Sequence, residues 1–157
     1  MRNLSTGKAG LIAMSEMTIR AMDQDEDFAN WMKELLELEA AAQGLGTPSD
    51  DCYLVLSNEI GDWIGGLRYA MRGGVARLLD VTVTSAERHQ GHGHRLLLAF
   101  EERVRNDGAH LAEFWTDDLR AEGLLAAFGW RRILSRPGYI GGDTWALMEK
   151  RFEADEP

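Results

Sequence analysis

The chain has 157 residues, one cysteine and a net charge of −9, with 45% hydrophobic and 27% charged residues. That length suits one domain that buries a core without staples, and the lone Cys52 excludes a disulfide framework or a Cys-rich zinc site. The acid surplus disfavours a general nucleic-acid binder, no apolar run approaches the roughly 20 residues of a membrane span, and residues 1–16 lack a secretion-signal pattern, so a cytoplasmic protein is expected.

Residues 1–16 read as a disordered leader, with Met14 and Met17 as alternative starts. Thr18-Ile19-Arg20 alternates and predicts a short strand. Asp23 or Asp25 caps the helical stretch that follows, where Phe28, Trp31, Met32, Leu35, Leu36 and Leu38 recur at helical spacing. This stretch is one long helix or two short ones, ended by Gly44-Leu45-Gly46-Thr47-Pro48. It is also where the charge concentrates. Residues 21–51 hold nine acids and one base, Lys33, while the rest of the chain is nearly neutral. Solvated helix faces explain that, and so does an acidic wall that attracts a cationic ligand.

A β-rich block follows. Strands are predicted at Cys52–Leu56, Trp63–Met71 and Val75–Thr84, with turns at 58–62 and Gly73-Gly74. His92–Asn106 has an apolar face of Leu96, Leu97, Phe100 and Val104 and predicts a helix stopped by Gly108. Leu111–Thr116 is a strand. Asp117 or Asp118 caps a helix through Phe128, stopped by Gly129. Trp130–Leu134 and Thr144–Phe152 are the last strands, and 153–157 is an acidic tail. The five Trp are expected mainly as core or strand anchors. With no repeat and no linker, 17–152 reads as one α+β domain with a mixed sheet.

The segment from Val81 to Leu98 is the most informative. It runs strand, then Arg88-His89-Gln90-Gly91-His92-Gly93-His94, then a Leu-rich helix. A helix start presents unpaired N–H groups and a positive dipole end to an anion. Gly91 and Gly93 remove the Cβ atoms that would block phosphate oxygens, and Arg88 adds charge. Together these make a pyrophosphate cradle. A plain strand–helix turn with two helpful glycines is the structural alternative. His89, His92 and His94 lie within six residues, but His92 and His94 flank a turn Gly with no acidic or Cys partner beside them, so no metal is expected.

At these residues the chain resembles the GNAT superfamily of acyl-CoA-dependent N-acyltransferases. The family pattern is Arg/Gln-x-x-Gly-x-Gly/Ala after a strand end, filled here by Val83-Thr84-Ser85 and then Arg88, Gly91 and Gly93. A second family pattern, Asn-x-x-Ala … Gly-Phe, is approximated by Asp118-Leu119-Arg120-Ala121, Leu124 and Gly129-Trp130. The likeness covers roughly 17–152 as a pattern. It implies an α+β fold whose mixed, mostly antiparallel sheet splays between the strands at 75–84 and 110–116, flanked by helices. It further implies acetyl-CoA as co-substrate, its pantetheine arm in the splay against backbone near Val81 and Val83. The N–H groups from His89 through Gln90, Gly91, His92 and Gly93 to His94 would then hold the pyrophosphate.

The implied reaction is direct attack of an amine on the thioester in a ternary complex. It needs alignment, a base and donors for the charge that develops. For the base, the resemblance points to Glu113, five residues before Asp118; a Glu on the solvent side of its strand is the plain alternative. Asp80 is the second candidate, because an acid in mid-strand is costly unless paired or functional. Another Glu position of the family, earlier on the 75–84 strand, holds Arg77. The Tyr that many members place four residues before the Gly of Gly-Phe is replaced by Leu125, which donates no proton. Tyr139 is the nearest substitute, unless it simply packs on Pro137.

In the family the acid-rich segment lines the acceptor side, so Glu34 and Glu37 are expected to favour a cationic amine of a small metabolite or peptide. Two other functions compete: a catalytically degenerate acyl-CoA sensor, motivated by Leu125, and a Trp-rich interaction protein. The partners expected are an amine acceptor, no nucleic acid and no membrane. A homodimer is compatible, though no interface is specified.

Overall fold

The computed structural model describes residues 17–44 and 50–153. The expected leader, the turn residues 45–49 and the tail beyond Glu153 lie outside them. The chain divides into two units, one ending at Glu39 and one beginning at Ala40.

In the first unit the strand expected at Thr18–Arg20 is absent. A strand is held by a partner's ladder hydrogen bonds, and a triplet with one apolar residue, Ile19, offers little surface to recruit one. One helix follows rather than two, α1 (Glu26–Gln43). Asp25 is its cap: the Phe28 N–H donates to Asp25 Oδ1 at 3.0 Å. Glu26 and Asp27 occupy the first turn, where the dipole favours acids. Phe28 and Trp31, one turn apart, stack with ring centroids 5.6 Å apart.

The second unit holds a six-stranded sheet: β1 (Cys52–Ser57), β2 (Trp63–Arg72), β3 (Val75–Val83), β4 (Leu111–Thr116), β5 (Arg131–Arg136) and β6 (Trp145–Arg151). The spatial order is β1-β2-β3-β4-β6-β5. Only β3 and β4 run parallel; the other neighbours are antiparallel. That parallel pair needs a crossover, which α2 (His92–Asn106) supplies. The third helix, α3 (Leu119–Ala127), links β4 to β5.

Local sequence sets the joints. Gly73 and Gly74, at φ 58° and 80°, form the two-residue turn between β2 and β3. Both α2 and α3 end alike. After α2, the Gly108 N–H reaches the Arg105 carbonyl and the Ala109 N–H the Val104 carbonyl; after α3, Gly129 reaches Ala126 and Trp130 reaches Leu125. Each glycine has a positive φ, and each end closes an apolar contact, Val104 with Ala109 and Leu125 with Trp130. This gives Gly129-Trp130 its structural role.

One face of the sheet packs against helices and makes the core. Leu67, Tyr69, Ala76, Leu78, Ala112, Ala146 and Met148 meet Leu96, Leu97, Phe100, Val104 and Leu125. Phe100 is fully buried, edge-on to Tyr69 at 5.4 Å. Trp130 also belongs to this core, whereas Trp63 is 81% exposed, against the expectation for Trp. Among the buried polar residues, Glu101 pairs with Lys150 and lies 3.5 Å from Trp130 Nε1; Lys150 also donates to the Phe128 carbonyl at 2.7 Å. A buried acid stays where its charge is met.

The feature that positions the site lies in mid-sheet. Pairing of β3 with β4 stops at Leu78 opposite Phe114, although β3 runs on to Val83 and β4 to Thr116. The β2–β3 register shifts at the same level: Arg68 faces Asp80 and Tyr69 faces Leu78, leaving Leu79 as an extra residue. A bulge bends and twists its strand. Beyond it the two parallel strands fork, as the splay expected from the sequence requires.

Candidate active site

Just past the end of β3 the chain makes a one-turn helix at Ser85–Glu87 and then a loop with two left-handed residues, His89 at φ 66° and Gly91 at φ 83°. Gly91 sits at the N-cap of α2, and no side chain caps this helix. The first ladder bond runs from the Arg95 N–H to the Gly91 carbonyl, so the N–H groups of His92, Gly93 and His94 lie ahead of it. A Cβ built on Gly91 or on Gly93 would meet nothing within 4 Å. At Gly91 the positive φ selects glycine, and both positions leave open space over the helix start.

A cleft of about 840 Å³ runs from this helix start along the forked part of β3. It is lined by Val81, Val83, Arg88, His89, Gly91, His92, Gly93 and His94, so eight of the nine positions expected at the cofactor are together. Gln90 is in the same loop but does not line the cleft. Arg88 Nε donates to the Val83 carbonyl at 3.1 Å, tying the loop back to the strand end. Both ring nitrogens of His92 are buried without a hydrogen-bond partner among the described residues. Glu87 Oε2, at 3.6 Å from Nε2, is too far for a hydrogen bond. Buried nitrogens left this way fit an incoming polar group. The His94 ring packs edge-on against Phe128 at 4.7 Å. Among the described residues no group of His, Cys, Asp or Glu is arranged to hold a metal ion.

The cleft also contains Arg120, which the sequence reasoning did not single out. Asp118 caps α3 by accepting the Arg120 N–H at 2.9 Å, and its own N–H donates to Thr116 Oγ1 at 3.1 Å. This cap places Arg120 in the first turn of α3, facing the loop that carries Arg88. The Asp-x-x-Ala spacing was the available signal, but it marks the cap rather than the arginine.

The opposite face of the fork is built from side chains. On β4, Ala112 and Thr116 are buried on the core side, so the alternating Glu113 and Trp115 belong to the other face. Glu113 is half-buried, opposite Arg77 on β3 and Glu149 on β6. Glu149 accepts two bonds from Arg131, at 3.0 and 3.2 Å. Glu113 has no hydrogen-bond or ion-pair partner among the described residues. It lies one residue before the last β3–β4 pair, and Trp115 one residue beyond it.

Asp80 is in a different situation. Its carboxylate accepts Arg68 Nε at 2.7 Å, and the same guanidinium bonds Asp51 at 2.6 Å. These two carboxylates hold the Arg68 pKa above its usual value, Asp51 first. The cost of an acid in mid-strand is met by this pairing. Tyr139 packs against Trp115, with centroids 5.1 Å apart, and Trp145, at 6.4 Å. Leu125 is buried in the core. Glu34 and Glu37 lie on α1, in the other unit.

The model of the acetyltransferase (GNAT) family matches residues 17–130. The chain belongs to that family. GNAT membership makes acetyl-CoA its acyl donor, and the open cradle at Gly91 and the unpartnered His92 nitrogens fit the donor's phosphates. No curated protein matches the chain. Among solved structures, an acetyltransferase from Agrobacterium tumefaciens is 23% identical with a TM-score of 0.71, over 87% of this chain and 99% of that one. An acetyltransferase from Bacillus cereus is 19% identical with a TM-score of 0.65, over 85% and 98%. A streptothricin acetyltransferase from Bacillus anthracis, in complex with acetyl coenzyme A, is 13% identical with a TM-score of 0.59, over 67% and 64%. These likenesses show the fold, and what each neighbour acts on belongs to that neighbour.

Proposed function

We propose that this GNAT protein transfers an acetyl group from acetyl-CoA to a primary amine, by direct attack in a ternary complex. The observation that carries the reading is the fork, with the α2 start at one face and an unpartnered carboxylate at the other. The donor would enter from the cradle side, its pyrophosphate on the N–H groups of Gly91–His94 and near Arg88 and Arg120. Its pantetheine arm would run along the β3 edge that β4 leaves unpaired, near Val81 and Val83. The acceptor would come from the face of Glu113 and Trp115, so the two meet where pairing ends.

Glu113 is the base this reading favours, because its carboxylate has no competing partner and lies beside the fork, directly or one water from the ammonium. Asp80 is the weaker candidate, since Arg68 already holds its Oδ2. Tyr139 would donate to the departing thiolate or to water that does so. From its charge alone, the acid-rich α1 with Glu34 and Glu37 is proposed to favour an ammonium-bearing acceptor.

Thiol release from acetyl-CoA, measured against a panel of metabolite amines and short peptides, tests the reading. Release with at least one amine is the expected result; tight acetyl-CoA binding with no release by any amine would defeat it. That second outcome is what a degenerate sensor would give, and the burial of Leu125, where many relatives place a Tyr, is the observation in its favour.

A further inference from the structure

Three successive rows of side chains cross β4, β6 and β5 on the face that carries Glu113. The first row is Glu113, Glu149 and Arg131. The second is Trp115, Leu147 and Leu134, apolar throughout. The third pairs Trp145 with Arg136. Rows two residues apart along a strand are separated by roughly 7 Å, so the first and third lie roughly 13 Å apart.

Each end of this strip carries one charge that the described residues do not answer. At one end it is Glu113, beside the fork. At the other it is Arg136, whose guanidinium lies 4.5 Å over the Tyr139 ring and meets no carboxylate among the described residues. Tyr139 in turn rests on Trp115. The guanidinium is therefore no farther from the fork-side indole than those two ring contacts placed end to end. The loop that carries Tyr139 is pinned: Trp145 Nε1 donates to the Ile140 carbonyl at 2.9 Å and the Tyr139 N–H to the Asp143 carbonyl at 2.8 Å. A guanidinium held over an aromatic ring still has N–H donors to offer a carboxylate.

We infer that this strip selects the acceptor, and that the acceptor is an amine that also bears a carboxylate at the far end of an apolar body. The amine end sits at the fork near Glu113, the body lies on Trp115, Leu147 and Leu134, and the carboxylate meets Arg136. Two strand spacings of roughly 5 Å added to the roughly 13 Å between rows put the backbones under Glu113 and Arg136 roughly 16 Å apart, too long for the two charges of a single α-amino acid and suited to a peptide of about three residues held between the two side chains. The inference rests on the acyl-transfer reading for what happens to the amine, but not for its binding.

The test uses the tripeptide Ala-Leu-Ala and its C-terminal amide, titrated by calorimetry into the full-length protein holding CoA. The wild type is expected to bind the acid at least tenfold more tightly than the amide. Arg136→Met should bring the two within about twofold of each other, and Arg136→Lys should restore part of the difference. Equal binding of acid and amide by the wild type, or an undiminished ratio in a folded Arg136→Met, would overturn the inference. Thiol release followed in parallel with acetyl-CoA separates the two claims. Acid-selective binding upholds the strip whether or not thiol is released, and the transfer reading is decided by release across the whole amine panel. Release from the amide as efficient as from the acid defeats the strip alone.

Discussion

The two sides of the fork are built by different means. On the α2 side the chemistry is backbone: a left-handed Gly91, a helix start without a cap, and space where Cβ atoms are missing. On the Glu113 side it is side chains drawn from β4, β5, β6 and the loop between the last two. A backbone site recognises a group common to all reactions of its kind, because N–H groups cannot be varied. A side-chain site is free to change, so on the proposed reading acceptor specificity would reside there. Substitutions on the two sides should therefore fail in different ways.

The largest effect is expected on the backbone side. Gly91→Glu puts bulk and negative charge into the cradle and should lower acetyl-CoA affinity at least a hundredfold by calorimetry. Gly91→Ala is the sharper control. Its methyl group meets no atom, so its cost is mainly the left-handed backbone, roughly 1–2 kcal/mol, and binding should fall only modestly. Equal losses in both variants would mean that the conformation matters and the open space does not.

On the side-chain side, Glu113→Gln should leave acetyl-CoA binding intact while kcat falls roughly 10²–10⁴-fold, the range for a general base. Asp80→Asn should stay within about threefold of wild type, since Arg68 already occupies that carboxylate. If Asp80→Asn is the slower of the two, the base lies on β3 and the two sides are less separate than the geometry suggests.

How much of this was legible beforehand follows the same division. The cradle was readable because its requirements are local: Gly91, Gly93 and the following Leu-rich helix lie within one short stretch, and the backbone conformation dictates the residue types. The fork was legible only through resemblance, since its cause is a bulge at Leu79 and a pairing that stops at Phe114, neither of which has a residue signature. The strip from Glu113 to Arg136 was not legible at all. It brings together residues 113, 115, 134, 136 and 147 by strand register and residue 139 from the loop between β5 and β6, and an Arg at a strand end looks like any surface charge. The strand expected at Thr18–Arg20 failed for the converse reason: local alternation was present and a partner was not.

Arg120 tests whether the backbone side carries side-chain charge as well. Arg120→Ala should weaken acetyl-CoA about five- to tenfold, the size of one charge-assisted bond in a partly wet cleft, and the difference should shrink as salt rises. No loss at low salt would leave the phosphates to the N–H groups and Arg88.

The smallest effect concerns the scaffold both sides share. Tyr69 faces Leu78 at the last paired level before the fork, and its ring is buried against Phe100. Burial, and next the neighbouring Cys52, push its phenol pKa above the usual value near 10. The neutral phenol is thus favoured in the folded state. Its stabilising contribution is fully present below about pH 10, where both folded and unfolded phenols keep their protons, and is lost as pH rises through the raised folded value. Denaturant melts from pH 7 to 11 should show wild-type stability falling at the alkaline end and Tyr69→Phe falling less. Acetyl-CoA affinity and the Glu113-dependent rate should follow this loss together, because the level of Tyr69 and Leu78 holds the strand from which both sides diverge. An alkaline decline in only one of them would place the common support elsewhere.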